Sequence, residues 1–306
     1  MPEPSGAPDP VAVLASIAWT ATGFTPITSG WDNFIWRFTT ADGHRHALRL
    51  YRSADDAAAL LRRADHEAAG LAVGVAAGLP VPATEARGVF NGAPFFVQSW
   101  LPGVPLLGAM KSQIWRLNRL ASDFGRFQAR IHRIPAPPDL RRYDADWIAA
   151  NVKLPALAAA LQREAVADTF CHLDYHPLNV LAMNARISGI VDFSNAAVSD
   201  RRADLAFTQV ALLHIPIPPG PLRPALQQLR RLVHRGWKRG YMAEAGSFPL
   251  TPLFQAAALE RFLVDLKEAV RDGRGWGTAA DIARLTKLRD ERLRAAGVSV
   301  HQRDEG

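Results

Sequence analysis

The chain has 306 residues, of which 48% are hydrophobic and 21% charged, which is ordinary for a folded soluble protein with one large domain or two lobes. Its single cysteine, Cys171, excludes an intrachain disulfide and a metal cluster of cysteines, and it is compatible with a reducing compartment. The net charge of +7 comes mostly from arginines that lie beside acidic residues on helical segments, without a zinc finger or basic arm. We therefore expect solvated helix faces and no nucleic-acid partner.

The amino terminus has no basic region followed by an apolar stretch, so it does not match a signal peptide. No run of about eighteen apolar residues occurs elsewhere, which disfavours a membrane-spanning helix. We expect a cytoplasmic protein with no membrane partner.

The first hundred residues carry most of the strand signals. Apolar segments at 33–38 and 46–51 flank the turn sequence 41–43, as in a β-hairpin. Alanine, leucine and charged residues predict a helix over 53–70, and the prolines at 80 and 82 end it. A second strand pair is predicted over 87–90 and 94–100, around an Asn-Gly turn.

Helical patterns dominate after a Pro/Gly hinge at 101–105. Apolar residues at steps of three and four, from Leu117 to Ile131, predict an amphipathic helix that ends near the prolines at 135, 137 and 138. A β-hairpin is expected between Asn179 and Asp192. Further helices are predicted over 204–214, 225–240, 252–271 and 278–296. This order predicts an α+β fold with a strand-rich lobe over 1–101, a larger helical lobe over 102–306 and a cleft at their junction.

The most informative motif lies at 171–181 and is completed by Asp192. Asp174 is a carboxylate that can accept a proton from an attacking hydroxyl. Asn179 follows five residues later, and Asp192 thirteen residues after that. Both offer hard oxygen ligands of the kind that Mg²⁺ prefers. Any one of these residues alone is typical of a turn or a cap, but their joint spacing favours phosphoryl transfer from a metal-bound triphosphate.

This motif resembles that of the aminoglycoside phosphotransferase and choline kinase family, which has a protein-kinase-like fold. The family's catalytic loop is approximately H-G-D-x-x-x-x-N, and its metal strand is approximately I-x-D. The resemblance runs from about residue 23 to residue 240. Four residues match the family in type, order and spacing: His172, Asp174, Asn179 and Asp192.

The resemblance implies a set of nucleotide-binding residues in the first lobe. Arg49 stands where the family commonly has a lysine that contacts phosphate, and Glu67 on the following helix would pair with it. Gly30 lies in the turn that would cover the phosphates through backbone amides. The Ser99 carbonyl and the Leu101 amide would bond the edge of the adenine base.

Two leucines depart from the family pattern. Leu173 replaces the glycine of H-G-D, and Leu178 replaces the glycine usual before the asparagine. A leucine would be strained at either position if that position required a positive φ. Neither leucine removes a reacting group.

Asp204 matches a family residue that we interpret as structural, because it can cap its helix and brace the catalytic loop.

The resemblance implies an ATP- and Mg²⁺-dependent kinase, a monomer or weak homodimer, that phosphorylates a hydroxyl of a small molecule. The acceptor would be an antibiotic such as an aminoglycoside, or a metabolite such as an amino alcohol or a sugar. Asp204 follows only twelve positions after Asp192, which leaves no room for a segment that organises a peptide substrate. A nucleotide-binding pseudokinase is the alternative suggested by the two leucines, and a nucleic-acid-binding protein is suggested by charge alone.

Overall fold

The structure is a computed structural model that describes residues 7–27, 33–52, 56–217, 220–273 and 277–299. The chain divides into two compact units, which are Met1–Gly103 with Ser188–Ser194, and Val104–Ile187 with Asn195–Gly306. The first unit is built on an antiparallel sheet and the second is mainly helical. The predicted α+β class is therefore confirmed.

The first unit contains the elements α1 (Pro10–Ala15), β1 (Thr22–Ile27), β2 (Asn33–Thr39), β3 (Arg45–Tyr51), α2 (Ala57–Ala76), β4 (Thr84–Phe90) and β5 (Ala93–Ser99). Its strands form a five-stranded antiparallel sheet with the order β1-β2-β3-β5-β4. Both predicted strand pairs are present, although β1 was not predicted. Helix α2 extends six residues beyond the predicted end at Gly70.

Strand β3 has two different faces because successive side chains of a strand point to opposite sides of the sheet. Leu48 and Leu50 pack in an apolar cluster with residues of α1, β2 and β5. Tyr51 packs in a separate cluster with Leu60 and other residues of α2. Arg49 alternates with the two leucines, which places its side chain on the same face as Tyr51.

The segment Ser188–Ser194 groups with the first unit because hydrogen bonds tie it there. The Ile190 amide donates to the Pro80 carbonyl at 2.8 Å, and the Ser188 hydroxyl donates to the Pro102 carbonyl at 2.6 Å. Asp192 therefore belongs to the first unit, whereas the sequence prediction placed all residues from 102 onward in the second lobe.

The second unit is mainly helical. Its elements, with a 3₁₀ turn over Ile114–Arg116 between α3 and α4, are β6 (Val104–Pro105), α3 (Leu106–Ser112), α4 (Leu117–Ile131), α5 (Ala145–Asn151), α6 (Pro155–Glu164), β7 (Thr169–Cys171), β8 (Val180–Met183), β9 (Arg186–Ile190), β10 (Ala197–Ser199), α7 (Arg201–His214), α8 (Arg223–Ala245), α9 (Pro252–Arg271) and α10 (Ala279–Ala295). Strand β9 begins in this unit, and its last three residues belong to the first unit. Strand β8 pairs antiparallel with β6, and β7 pairs antiparallel with β10.

Helices α4 and α8 approach so closely that only glycine fits at their contact. A Cβ atom at Gly125 would collide with the backbone of Trp237, and one at Gly240 would collide with the backbone of Ser122. This contact fixes α4, which carries side chains that support the catalytic loop. A second apolar core joins α6, α7, α9 and α10 around Leu259, among other residues.

The predicted helices are present, with shifts at their ends. Helix α9 has the predicted bounds, and α7 begins three residues before the predicted start at Asp204. Helices α5 and α6 were not predicted. Among the described residues, no helix combines the length and the hydropathy that crossing a membrane requires.

Candidate active site

In the second unit, the loop between β7 and β8 brings Asp174 and Asn179 together. The Asn179 side-chain amide donates to the Asp174 backbone carbonyl at 3.1 Å and to its carboxylate at 3.2 Å. His176 Nε2 lies 3.4 Å from the other carboxylate oxygen of Asp174. Because Asn179 uses its nitrogen for these bonds, its side-chain oxygen is not part of them and retains the chemistry of a metal ligand.

Leu173, which precedes Asp174, adopts the left-handed conformation with φ +59°. This conformation costs a non-glycine residue about 1–2 kcal/mol. Both of its peptide groups are bonded: the Leu173 amide donates to the Asp204 carboxylate at 2.7 Å, and the Arg261 guanidinium donates to the Leu173 carbonyl at 2.7 Å. Its side chain is only 2% exposed and packs beside Cys171 and Ala197. Burial and two hydrogen bonds therefore hold a leucine in a conformation that favours glycine.

Leu178 behaves differently from Leu173. Leu178 is not among the described residues that have a positive φ. It is also 55% exposed. The second replacement of a family glycine therefore causes no backbone strain.

The residue that follows Asp174 is held as firmly as the one before it. The Tyr175 hydroxyl donates to the Phe124 carbonyl at 2.8 Å, and the Thr208 hydroxyl donates to the Tyr175 carbonyl at 2.8 Å. The Tyr175 ring stacks on Phe124 with a centroid separation of 4.4 Å. The backbone on both sides of Asp174 is thus fixed by helices α4 and α7, which pre-organises the carboxylate.

Asp204 is the buried acceptor on which this arrangement depends. Its second carboxylate oxygen accepts hydrogen bonds from His132 at 2.8 Å and from Gln128 at 3.1 Å. Burial alone would raise the pKa of Asp204, but the hydrogen bond and the charge of His132 lower it below its ordinary value. The helix cap of α7 is Asp200, whose side chain accepts from the Arg202 amide at 2.9 Å. Asp204 braces the loop as predicted, but the prediction that it caps its helix is wrong because α7 begins earlier.

A cluster of three ligand-type atoms, all within 4.8 Å of one another, is formed by His132, Cys171 and Asp204. We interpret this cluster as structural and not as a metal site. Burial raises the pKa of the Cys171 thiol well above its ordinary value, so the thiolate that a metal needs is disfavoured. The two ring nitrogens of His132 already bond Asp204 and the Tyr241 hydroxyl. We therefore assign this cluster to packing of the second unit.

In the first unit, Arg49 lies between two carboxylates. Its guanidinium pairs with the buried Glu67, which also accepts a hydrogen bond from Tyr51, and it contacts Asp192 at 3.3 Å. Burial lowers the pKa of Arg49, but the charges of Glu67 and Asp192 outweigh burial and raise it. Burial raises the pKa of Glu67, and Arg49 opposes that rise. We assign the pair as charged, because a guanidinium keeps its proton in proteins.

Asp192 is oriented by its neighbours in the same unit. It has φ +65°, and its Oδ1 accepts hydrogen bonds from the Ser194 hydroxyl at 2.8 Å and from Arg49. Ser194 thus holds the carboxylate from the position where protein kinases have a glycine. The carboxylate of Asp192 and the amide oxygen of Asn179 are hard donors, so their chemistry fits Mg²⁺.

The remaining predicted nucleotide contacts are less defined. Gly30 lies outside the described residues. The Ser99 amide donates to the Ala83 carbonyl at 3.0 Å, and its hydroxyl accepts from the Ala83 amide at 2.9 Å. These bonds do not use the Ser99 carbonyl that was predicted to meet the base. The roles of Ser99 and Leu101 stay predictions.

Three supporting residues were not identified from the sequence. Gln128 lies on α4, and His132 is the C-cap residue one helical turn later. Both have buried polar side chains, which is the signal that marks them. Arg261 lies on α9, 88 residues from Leu173, and no local pattern connects the two.

Comparison with known proteins gives the family. The model of the phosphotransferase enzyme family matches residues 23–242. Comparison with curated protein sequences finds no match.

Solved structures with the same fold include several phosphotransferases. A thermostable mutant of the aminoglycoside phosphotransferase APH(4)-Ia is 17% identical, with 94% of this chain and 99% of that chain covered and a TM-score of 0.58. The aminoglycoside phosphotransferase APH(3'')-Id from Streptomyces rimosus, in complex with ADP and streptomycin, is 17% identical, with 81% and 95% covered and a TM-score of 0.54. A putative fructosamine-3-kinase from Thermobifida fusca is 19% identical, with 95% and 100% covered and a TM-score of 0.54.

At these identities the solved structures show the fold alone. The family match spans most of the chain and includes the catalytic-loop motif, so the chain belongs to the phosphotransferase enzyme family.

Proposed function

We propose that the protein transfers the γ-phosphate of ATP to a hydroxyl of a small molecule, with Mg²⁺ as cofactor. The observation that carries the proposal is the catalytic loop, where Asn179 bonds Asp174 and the backbone on both sides of Asp174 is fixed. Membership of a phosphotransferase family supports the reaction type. The ADP complex of the Streptomyces rimosus relative supports the nucleotide.

Each residue has a distinct role in the proposed reaction. Asp174 accepts the proton of the acceptor hydroxyl as the hydroxyl oxygen attacks the γ-phosphorus, and the bond from that phosphorus to the bridging oxygen breaks, so that ADP leaves. Arg49, held by Glu67, steadies the nucleotide phosphates. Asn179 and Asp192 would each offer an oxygen ligand to Mg²⁺, which when bound would neutralise charge on the phosphate oxygens.

We propose an active kinase rather than a pseudokinase because the loop tolerates its leucines. Leu173 takes the left-handed conformation with both peptide groups bonded, and Leu178 needs no such conformation. The short segment after Asp192, where α7 already begins at Arg201, supports a small-molecule acceptor rather than a protein. A cytoplasmic monomer or weak homodimer remains part of this proposal.

The test combines nucleotide binding with acceptor turnover. Calorimetry should show that Asp192→Ala loses Mg²⁺-dependent ATP binding, because the dication loses its anionic ligand. Asp65→Ala, which removes an exposed carboxylate of the same unit, should bind as the wild type does.

A screen of ATP consumption against hydroxylated antibiotics, amino alcohols and sugars should then find at least one acceptor. Equal Mg·ATP affinities for wild type and Asp192→Ala, or phosphorylation of generic proteins without any small-molecule acceptor, would contradict the proposal.

A further inference from the structure

The second unit contains a cavity of about 350 Å³ beside the catalytic loop. Leu173 lines this cavity, and Asp174 is the next residue, with its Cα about 3.8 Å from that of Leu173. The volume is at the lower end of the range for small-molecule sites, about 300–1,000 Å³. The cavity is therefore large enough for a compact ligand beside the loop that carries the proposed base, although Asp174 itself is not one of the lining residues.

The lining of this cavity is mostly apolar. Helices α6, α7 and α9 contribute buried leucine and phenylalanine side chains that offer no hydrogen bonds. A ligand that fills this space gains free energy in proportion to the apolar surface it buries, whereas a polar ligand loses hydrogen bonds to water. The clearest examples of this lining are Leu157, Leu161, Phe207 and Phe254.

Three carboxylates also line the cavity, but two of them are already paired with arginines. Asp200 forms an ion pair with Arg202 at 2.7 Å, and Glu260 forms one with Arg289 at 2.6 Å. The third is Asp265, on the same helix as Glu260. Paired carboxylates attract a cationic ligand weakly, because their charge is compensated within the protein.

Two cations line the same cavity and repel a polycationic ligand. The Arg261 guanidinium lies over the Phe207 ring at 4.4 Å and also bonds the Leu173 carbonyl. Lys153 is the second cation. Three carboxylates and two cations thus line the cavity, and Asp200 and Glu260 are also paired with arginines outside it, so the wall is not the strongly acidic surface that an aminoglycoside with several ammonium groups requires.

We infer that this cavity binds the apolar body of the acceptor, and that the acceptor is a compact, largely apolar alcohol with at most one positive charge. The inference rests on the proposed function for the transfer of phosphate, but the binding itself can be measured without nucleotide. It names a substrate class that excludes polycationic aminoglycosides.

The test compares two probes of similar size. Adamantanemethanol is an apolar alcohol, and deoxystreptamine is the dicationic polyol core of many aminoglycosides. Calorimetry on the full chain without nucleotide should show saturable binding of adamantanemethanol and at least tenfold weaker binding, about 1.4 kcal/mol, of deoxystreptamine.

Variants on α9 assign the binding to this cavity. Ala257 lines the cavity and is partly buried, so Ala257→Phe should fill the space and weaken adamantanemethanol binding about tenfold or more. Ala280→Phe, on the exposed start of α10, makes the same change outside the cavity and should leave binding unchanged. Val264→Glu adds a carboxylate at a cavity position that is 43% exposed, so it should fold and shift the preference toward deoxystreptamine.

Equal or tighter binding of deoxystreptamine by the wild type would overturn the inference. So would an absence of adamantanemethanol binding, or equal binding by the wild type and Ala257→Phe. Binding that behaves as expected, without phosphate transfer from Mg·ATP to any apolar alcohol, would contradict the proposed function and leave the ligand class of the cavity standing.

Discussion

Leu173 offers a direct test of how this chain builds a catalytic loop without the family's glycine. Its φ of +59° favours glycine, but its side chain is buried and lines the cavity. Two variants separate these effects. Leu173→Ala removes the buried side chain and keeps the backbone strain, whereas Leu173→Gly removes both.

The expected magnitudes follow from these two contributions. Truncation of a buried leucine to alanine costs about 2–5 kcal/mol of unfolding free energy, and we expect a loss in this range for Leu173→Ala. Glycine relieves about 1–2 kcal/mol of left-handed strain and costs about 0.5–1 kcal/mol of unfolded-state entropy. Leu173→Gly should therefore be more stable than Leu173→Ala by about 0.5–1 kcal/mol, although both are less stable than the wild type.

Urea unfolding followed by tryptophan fluorescence measures this difference, because Trp237 is fully buried in the same unit. Leu205 is the matched control, since it is also fully buried but lies within helix α7. There the glycine variant should be less stable than the alanine variant by about 1 kcal/mol. The same order at both positions, with glycine the less stable, would refute the account of the loop.

Two further predictions concern charge. Glu67→Ala should destabilise the first unit by about 3–5 kcal/mol in urea unfolding, because it leaves the buried Arg49 without its main partner; a loss below about 1 kcal/mol would contradict a buried pair. His214 has its pKa lowered from 6.5 to about 4 by burial and then by nearby arginines, so the unfolded state binds the proton first as pH falls. Stability should be fully present above pH 6.5 and fall between pH 6.5 and about 4, by up to about 1.4 kcal/mol per pH unit, and His214→Gln should remove this part of the dependence; identical pH profiles for the two proteins would contradict it.

The sequence predicted those parts of the fold that local patterns determine. Periodicity of apolar residues predicted α4, because one face of that helix is buried along its length, although α4 ends at Ile131, before the prolines near which the predicted helix ends. Helix α9 was predicted with the bounds that it has. The turn signals gave the two strand pairs of the first unit. The order of a strand-rich region and a helical region followed from these elements.

The parts that depend on distant contacts were not predicted. The grouping of Asp192 with the first unit rests on distant contacts of its segment, which are the hydrogen bonds of Ile190 with Pro80 and of Ser188 with Pro102, and the contact of Asp192 with Arg49, 143 residues away. The left-handed conformation of Leu173 depends on Asp204 and Arg261, which lie 31 and 88 residues away. Helix α5 has seven residues and α6 has ten, so neither provides enough turns for a clear apolar period.

The spacing of the catalytic motif did identify a pair of residues that the structure brings into contact. Asp174 and Asn179 are five residues apart and share two hydrogen bonds. Spacing could not predict the cavity beside this loop, because the cavity is assembled from α5, α6, α7 and α9 together with the loop. The lining depends on contacts between helices that are far apart in the sequence, and no local pattern predicts such contacts.

The central claim is that Asp174 receives the proton of the acceptor hydroxyl, and Asp174→Asn tests it most directly. Asparagine keeps the shape but cannot accept the proton, so turnover of an acceptor from the ATP-consumption screen should fall by about 10²–10⁴-fold or more. Mg·ATP affinity from calorimetry should stay nearly unchanged, and Asp139→Asn, at an exposed position of the same unit, should behave as the wild type does. Near-native turnover by Asp174→Asn would contradict the claim.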